Sequence, residues 1–195
     1  MFNTRSKKIK CVLYRDIKMS ISDRLSADQL VKAVPGSVFF RYPDLRQFSS
    51  VDQVLSQSAI QVVFLLYLIE NENSGHFCCL FRRPDSVIEF FDPYGMCCDS
   101  ELSYVQAGVR KSLGEDAPVL LSLLVKGSQT ERWTWNAWDL QRHDPAVQDC
   151  GRWCILRAVH RDLTDDDFHS FVKQEARKDG NDLDAACVRL TQLYL

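Results

Sequence analysis

The stretch 60–92 constrains the fold of this chain more than any other. Three runs, "IQVVFLLYLIE" (60–70), "HFCCLFRR" (76–83) and "SVIEFFD" (86–92), are rich in β-branched and aromatic residues, and "NENSG" and "RPDS" supply turns between them. Connections this short leave no room for crossover helices, so the runs are expected to pair as an antiparallel meander. The longest apolar segment, Ile60 to Ile69, is too short to span a bilayer and reads as a buried strand.

Helical patterns surround this centre. "SADQLVKAV" (26–34) has an N-cap serine and apolar Leu30, Val31 and Val34 at helical spacing, and the Pro-Gly at 35–36 ends it. "SVFFRYP" (37–43) reads as a short strand, and "SSVDQVLSQS" (49–58) as a helix with Val51, Val54 and Leu55 on one face. "SELSYVQAGVRKSL" (100–113) reads as helix, "APVLLSLLV" (117–125) as strand, and "ERWTWNAW" (131–138) as strand or loop. Three helices are expected to close the chain: 150–163, 164–178 with Thr164 as N-cap, and 181–195. In the last, Leu183, Ala186, Cys187, Leu190, Leu193 and Tyr194 form an apolar stripe suited to core packing. The expected class is α+β, a central, mostly antiparallel sheet flanked by helices, with the helix that begins at Cys150 buried against it.

With 195 residues, no internal repeat and no Gly/Ser/Pro linker, the chain fits one domain. We divide it into a basic N-terminal extension, residues 1–18, and a domain spanning 19–195. The extension carries six Lys/Arg against one Asp. It reads first as a solvated terminus, with a docking arm for nucleic acid or an acidic partner as the alternative; Met19 could also serve as a start. A net charge of −2 implies no overall attraction to nucleic acid. Without an apolar signal segment the chain is expected to be soluble, not secreted, and made in a reducing compartment. The eight cysteines then need not be disulfides, and the adjacent pairs Cys78-Cys79 and Cys97-Cys98 match neither a disulfide framework nor a zinc spacing.

Cys150 has a different setting. It stands before Gly151 at the head of a helical run, where unpaired N–H groups favour a thiolate. Thiolate chemistry needs an imidazole, and the imidazole a carboxylate to orient it. His160 and His169 fall inside helices, and His143 in the polar loop before Cys150 is a secondary candidate. His76 opens a strand, and Asp92 ends the next one, sixteen residues later. Antiparallel pairing brings these two together. For an oxyanion, the Cys150 N–H and a side-chain amide from Gln141 or Gln148 are the candidates.

The order His, Asp, Cys, within "GHF", "FFDPYG" and "DCGRWCI", resembles the adenain/Ulp1-like cysteine peptidases of clan CE. With "YPDL" and "LQ" added, the set is most similar to the maturation proteases of virophages, Polinton/Maverick elements and giant DNA viruses. The resemblance covers roughly Ser26 to Val159. It implies a papain-related fold with His76 as general base, Asp92 as its orienting acid and Cys150 as nucleophile at the start of a buried helix. It favours Gln141 as the oxyanion amide, although nine residues separate it from Cys150, more than is usual in the family. Gln148 and Asn136 are substitutes. Such enzymes cut at Gly-containing sites, and Phe77, Trp133, Trp135 and Trp153 are candidates for the walls of a narrow cleft.

The function so implied is an endopeptidase processing viral capsid or structural-protein precursors during virion maturation. It would act as a monomer, in host cytoplasm or a virus factory and within the virion, away from membranes. No metal or cofactor is required by the sequence, although an activating peptide or DNA is compatible with the relatives. The alternatives are an isopeptidase acting on ubiquitin or a ubiquitin-like modifier, and an acyltransferase or silent binding domain on the same fold.

Overall fold

The computed structural model describes residues 21–127, 132–180 and 182–195. The basic segment 1–18, and with it the expected docking arm, lies outside the described residues. The elements in order are α1 (Ala27–Ala33), β1 (Val38–Arg41), a 3-10 helix (Tyr42–Gln47), α2 (Val51–Leu55), β2 (Val62–Asn71), β3 (Ser74–Arg82) and β4 (Ile88–Phe91). A second 3-10 helix (Ser100–Tyr104), α3 (Ala107–Leu113), α4 (Leu120–Gly127), β5 (Trp133–Trp135), α5 (Cys150–Val159), α6 (Asp165–Asp179) and α7 (Leu183–Thr191) follow.

The class is α+β, with one five-stranded sheet in the order β1-β2-β3-β4-β5. Its centre is the expected meander, β2 against β3 and β3 against β4, both antiparallel. The edges correct the expectation of a mostly antiparallel sheet, because β1 pairs with β2 and β5 with β4 in parallel. Long connections explain this. Between β1 and β2 run the first 3-10 helix and α2, and between β4 and β5 run the second 3-10 helix, α3 and α4, enough chain to re-enter in the same direction.

Helices cover both faces, which is why β2 reads as a continuous apolar run instead of alternating. Val62, Phe64, Leu66 and Leu68 join the core beneath α1, α5, α6 and α7, while Val63, Leu65 and Tyr67 join the core under α2, α4 and the 3-10 helices. Thr164 caps α6 as expected. The segment 117–125, expected as a strand, is instead largely α4: Leu120, Leu123 and Leu124 are buried while Leu121 and Val125 are exposed, a 3.6-residue period. The expected helix 100–113 breaks into the second 3-10 helix and α3. In the last helix, Leu193 leaves the apolar stripe and is 82% exposed, because α7 ends at Thr191.

One buried ion pair ties the helical layer to the sheet. Glu89 of β4 and Arg157 of α5 are both fully buried and make two hydrogen bonds of 2.8 Å each. The Arg157 guanidinium also donates to the carbonyls of His160 and Leu163 and lies over the rings of Phe81 and Phe168.

Candidate active site

Register and pleat assemble the first half of the site. Cys79 pairs with Phe91 and Leu80 with Phe90, so one step further places Asp92 opposite Cys78. Side chains two apart share a face, and His76, Cys78 and Asp92 accordingly gather in one buried cluster. Close to His76, β2 and β3 come so near at Gly75 that an added Cβ would collide with the Tyr67 carbonyl oxygen.

Asp92 opens a tight turn. Its Oδ1 accepts from the Tyr94 N–H at 2.8 Å and its carbonyl from the Gly95 N–H at 2.8 Å. Gly95 has φ +72°, and a Cβ there would stand 2.9 Å from the Trp138 backbone, so both conformation and space call for glycine. Asn136 braces the same turn: its Oδ1 accepts the Asp92 N–H, and its Nδ2 donates to the carbonyls of Asp92 and Trp138. With both ends of its amide engaged, Asn136 is a support for Asp92, not a spare oxyanion donor.

His76 Nε2 lies 2.9 Å from Asp92 Oδ1, with His76 5% exposed and Asp92 fully buried. Tyr94 stacks on the His76 ring at 4.7 Å, and His143, paired with Asp139, stacks on the other face of Tyr94 at 4.4 Å. No local pattern announces this sandwich, because it joins a turn to a loop nearly fifty residues on. His143, the secondary candidate, is thus separated from His76 by the Tyr94 ring. His169 stacks on Trp138 elsewhere in the fold.

Cys150, the first residue of α5, lines a cleft of about 430 Å³ together with His76, Tyr94, Glu101, Gln141, His143 and Gln148. Ile69, Met96 and Tyr104 give it an apolar wall. Burial alone would raise the Cys150 thiol, but its interaction with His76 and the backbone amides of Phe77 and Gly151 outweigh burial and hold it below the ordinary thiol range. For His76, burial disfavours the charged ring, yet neighbouring Cys78, Asp92 and Cys150 reverse this and raise it well above its usual value. The two shifts together favour a thiolate–imidazolium pair.

Asp149 adds to this electrostatic setting. It is fully buried, neither of its carboxyl oxygens has a hydrogen-bond partner, and it makes no side-chain cap on α5. Burial first, then Asp184 and Cys150, push it up to about 9, so at neutral pH no anion stands beside the thiol. Since the unfolded chain releases this proton near pH 3.9, stability falls as pH rises from there toward about 9. Asp149→Asn removes that loss. In thermal unfolding it should gain about 1–3 kcal/mol at about pH 8, and the gain should vanish near pH 4.

The two glutamine candidates separate here. Gln148 accepts from Arg24 at 2.8 Å and donates to the Pro145 carbonyl at 2.6 Å, so its oxygen and one of its two N–H donors are engaged. Gln141 is 2% exposed and lines the cleft, and its backbone N–H donates to the Pro93 carbonyl at 3.0 Å, which ties it to the Asp92 turn. Among the cleft aromatics, Phe77 lines a narrow space of about 60 Å³ on another side of Cys150, with Gly75 and Gly151. The others do not line either space. Trp153 is fully buried in the core, and Trp133 and Trp135 pair with each other on the edge strand β5.

His76, Cys78 and Asp92 offer ligand atoms within 4.8 Å of one another, but they fit a metal ion poorly. His76 and Asp92 are bonded to each other, and burial and Asp92 raise the Cys78 thiol well above its usual value, whereas metals bind thiolate. The seven described cysteines are free thiols. No helix among the described residues is long and apolar enough to cross a membrane.

No protein-family model matches the chain. It is 34% identical over 131 residues to "Uncharacterized protein V9" of Sputnik virophage, a match covering 67% of this chain and 72% of that protein. At that identity and coverage, the chain belongs to the family of the virophage V9 protein.

Proposed function

We propose that the chain is a cysteine endopeptidase that cuts viral capsid or other structural-protein precursors at Gly-containing sites during virion maturation. The observation that carries this reading is the cleft-lining Cys150 with its lowered thiol beside His76, whose Nε2 is held by Asp92 at 2.9 Å. On this reading the fold is the adenain/Ulp1-like variant of the papain arrangement, with Cys150 as nucleophile at the head of α5. Kinship to a virophage protein supports a viral precursor over a cellular conjugate as substrate.

The chemistry follows from the groups present. The Cys150 thiolate adds to the scissile carbonyl carbon, and the oxyanion receives hydrogen bonds from the Cys150 N–H and the Gln141 amide. First-turn N–H groups of a helix have no partner within it, which leaves the former available. The His76 imidazolium gives its proton to the leaving amine, and a thioester remains. Water, losing a proton to His76, then hydrolyses the thioester and restores the thiolate.

The test pairs a capsid precursor bearing a Gly-Gly-X site with a fluorogenic conjugate of a ubiquitin-family C-terminus, in reducing buffer. Cleavage of the precursor alone is expected. Cleavage of the conjugate alone would move the protein to the deconjugating enzymes, and cleavage of neither would overturn the hydrolase reading for the chain acting by itself. Gln141→Ala is expected to lower kcat about 100-fold with KM little changed, because its amide is used only once the oxyanion forms.

A further inference from the structure

Only one of the two Asp92 carboxylate oxygens has donors. Oδ1 receives His76 Nε2 and the Tyr94 N–H, whereas Oδ2 is buried and receives none. The side chain of Glu101, 8% exposed, lies within hydrogen-bonding reach of Asp92, and its Oε1 is likewise buried without a donor. Two carboxyl groups so close and away from water resist ionising together, and one of them holds its proton to a higher pH. A single proton between them would satisfy both orphaned oxygens at once.

We infer that Glu101 is a positioning residue, held as a carboxylic acid whose O–H donates to Asp92 Oδ2 and so fixes the carboxylate that orients His76. The inference rests on reading His76, Asp92 and Cys150 as one reactive site. The placement of Glu101 is enforced from outside the site. Asp99, at φ +67°, begins its 3-10 helix and is bound on three sides: its carboxylate accepts from the Tyr42 hydroxyl and the Leu121 N–H, and its own N–H donates to the Tyr67 hydroxyl.

The titratable groups around Glu101 are His76 and Cys78 on β3, Asp92 and Tyr94 in the turn, His143 in the loop before α5, and Glu115 after α3. Burial, opposed by His76 and reinforced by Asp92, pushes Glu101 up to about 7. Below that pH Glu101 is a neutral donor. Above it, a second negative charge stands beside the Asp92–His76 pair and stabilises the imidazolium.

The test titrates the intact protein by NMR, following the Glu101 carboxyl carbon and the His76 ring nitrogens, in wild type, Glu101→Gln and Glu101→Ala. The Glu101 carboxyl is expected to titrate near 7. In Glu101→Gln, which stays neutral, the His76 midpoint should fall by about one pH unit. Alkylation of Cys150 at about pH 6 should drop at least tenfold in Glu101→Ala but stay within about threefold in Glu101→Gln, whose amide still donates. A Glu101 carboxyl titrating near 4.3, or a His76 midpoint equal in wild type and Glu101→Gln, overturns the inference. If Glu101 titrates near 7 while Cys150 alkylates as an ordinary thiol, the shared proton stands and the peptidase reading falls. If a variant fails to fold, the wild-type Glu101 titration decides alone.

Discussion

Cys150→Ala is expected to abolish precursor cleavage, a loss of at least about 1,000-fold, while leaving the thermal unfolding midpoint within a few degrees of wild type. The substitution removes one sulfur from a partly exposed position at the cleft, so little core packing is lost. His76→Ala should cost about as much, and the double variant hardly more, because nucleophile and base act as a unit. Asp92→Asn should reduce turnover strongly, since the Asp92 carboxylate holds the His76 ring in place. A second readout needs no substrate. At about pH 6, where ordinary thiols near 8.5 are protonated, Cys150 should still be alkylated, and His76→Ala should remove that reactivity. Full activity in Cys150→Ala would sink the mechanism.

Arg157→Ala is expected to destabilise the fold by about 3–5 kcal/mol in urea or thermal unfolding. The cost comes less from losing the two hydrogen bonds to Glu89 than from what stays behind. Glu89 would remain fully buried with Arg83 Nη1, 3.6 Å away, as its nearest cation. The carbonyls of His160 and Leu163 would lose their Arg157 donors, and the rings of Phe81 and Phe168 a cation above them. Burial raises the Glu89 carboxyl above its usual range even with Arg157 present. Without Arg157, Glu89 should take up a proton on folding, so the variant's deficit grows as pH rises from about 5 to 8. Replacing the pair together, as Arg157→Met with Glu89→Met, should recover most of the loss, because no uncompensated charge is left inside. A double variant as unstable as the single one would refute this account. The pair also bears on the site. Arg157 lies two turns, about 10 Å, along α5 from Cys150, and Glu89 precedes Asp92 on the neighbouring strand, so the bridge helps hold nucleophile and carboxylate in register.

Local pattern specifies contacts over short separations and little beyond them. β3 and β4 are joined by a short turn, so their pairing, and with it the meeting of His76 and Asp92, was legible from spacing alone. The segment 117–125 was not. A short apolar run suits a strand or a buried helix equally, and α4 emerges only because Leu120, Leu123 and Leu124 have α2 to pack against. Gln141 and Gln148 were equivalent as residue types, and only the contacts of Gln148 with Arg24 and Pro145 set them apart. Trp133, Trp135 and Trp153 are large enough to wall a cleft, yet each found a place elsewhere.

By itself the sequence determined the class, the central meander, the His76–Asp92 pairing and the helical run that starts at Cys150, because these follow from hydrophobic period, turn residues and antiparallel register over short separations. Tertiary structure alone decided the parallel edge strands, the Tyr94 stack, the Arg157–Glu89 bridge and the carboxyl groups of Glu101 and Asp149. Each of these depends on which distant segments exclude water together, and removing water is what turns an ordinary acid or base into one with a shifted charge.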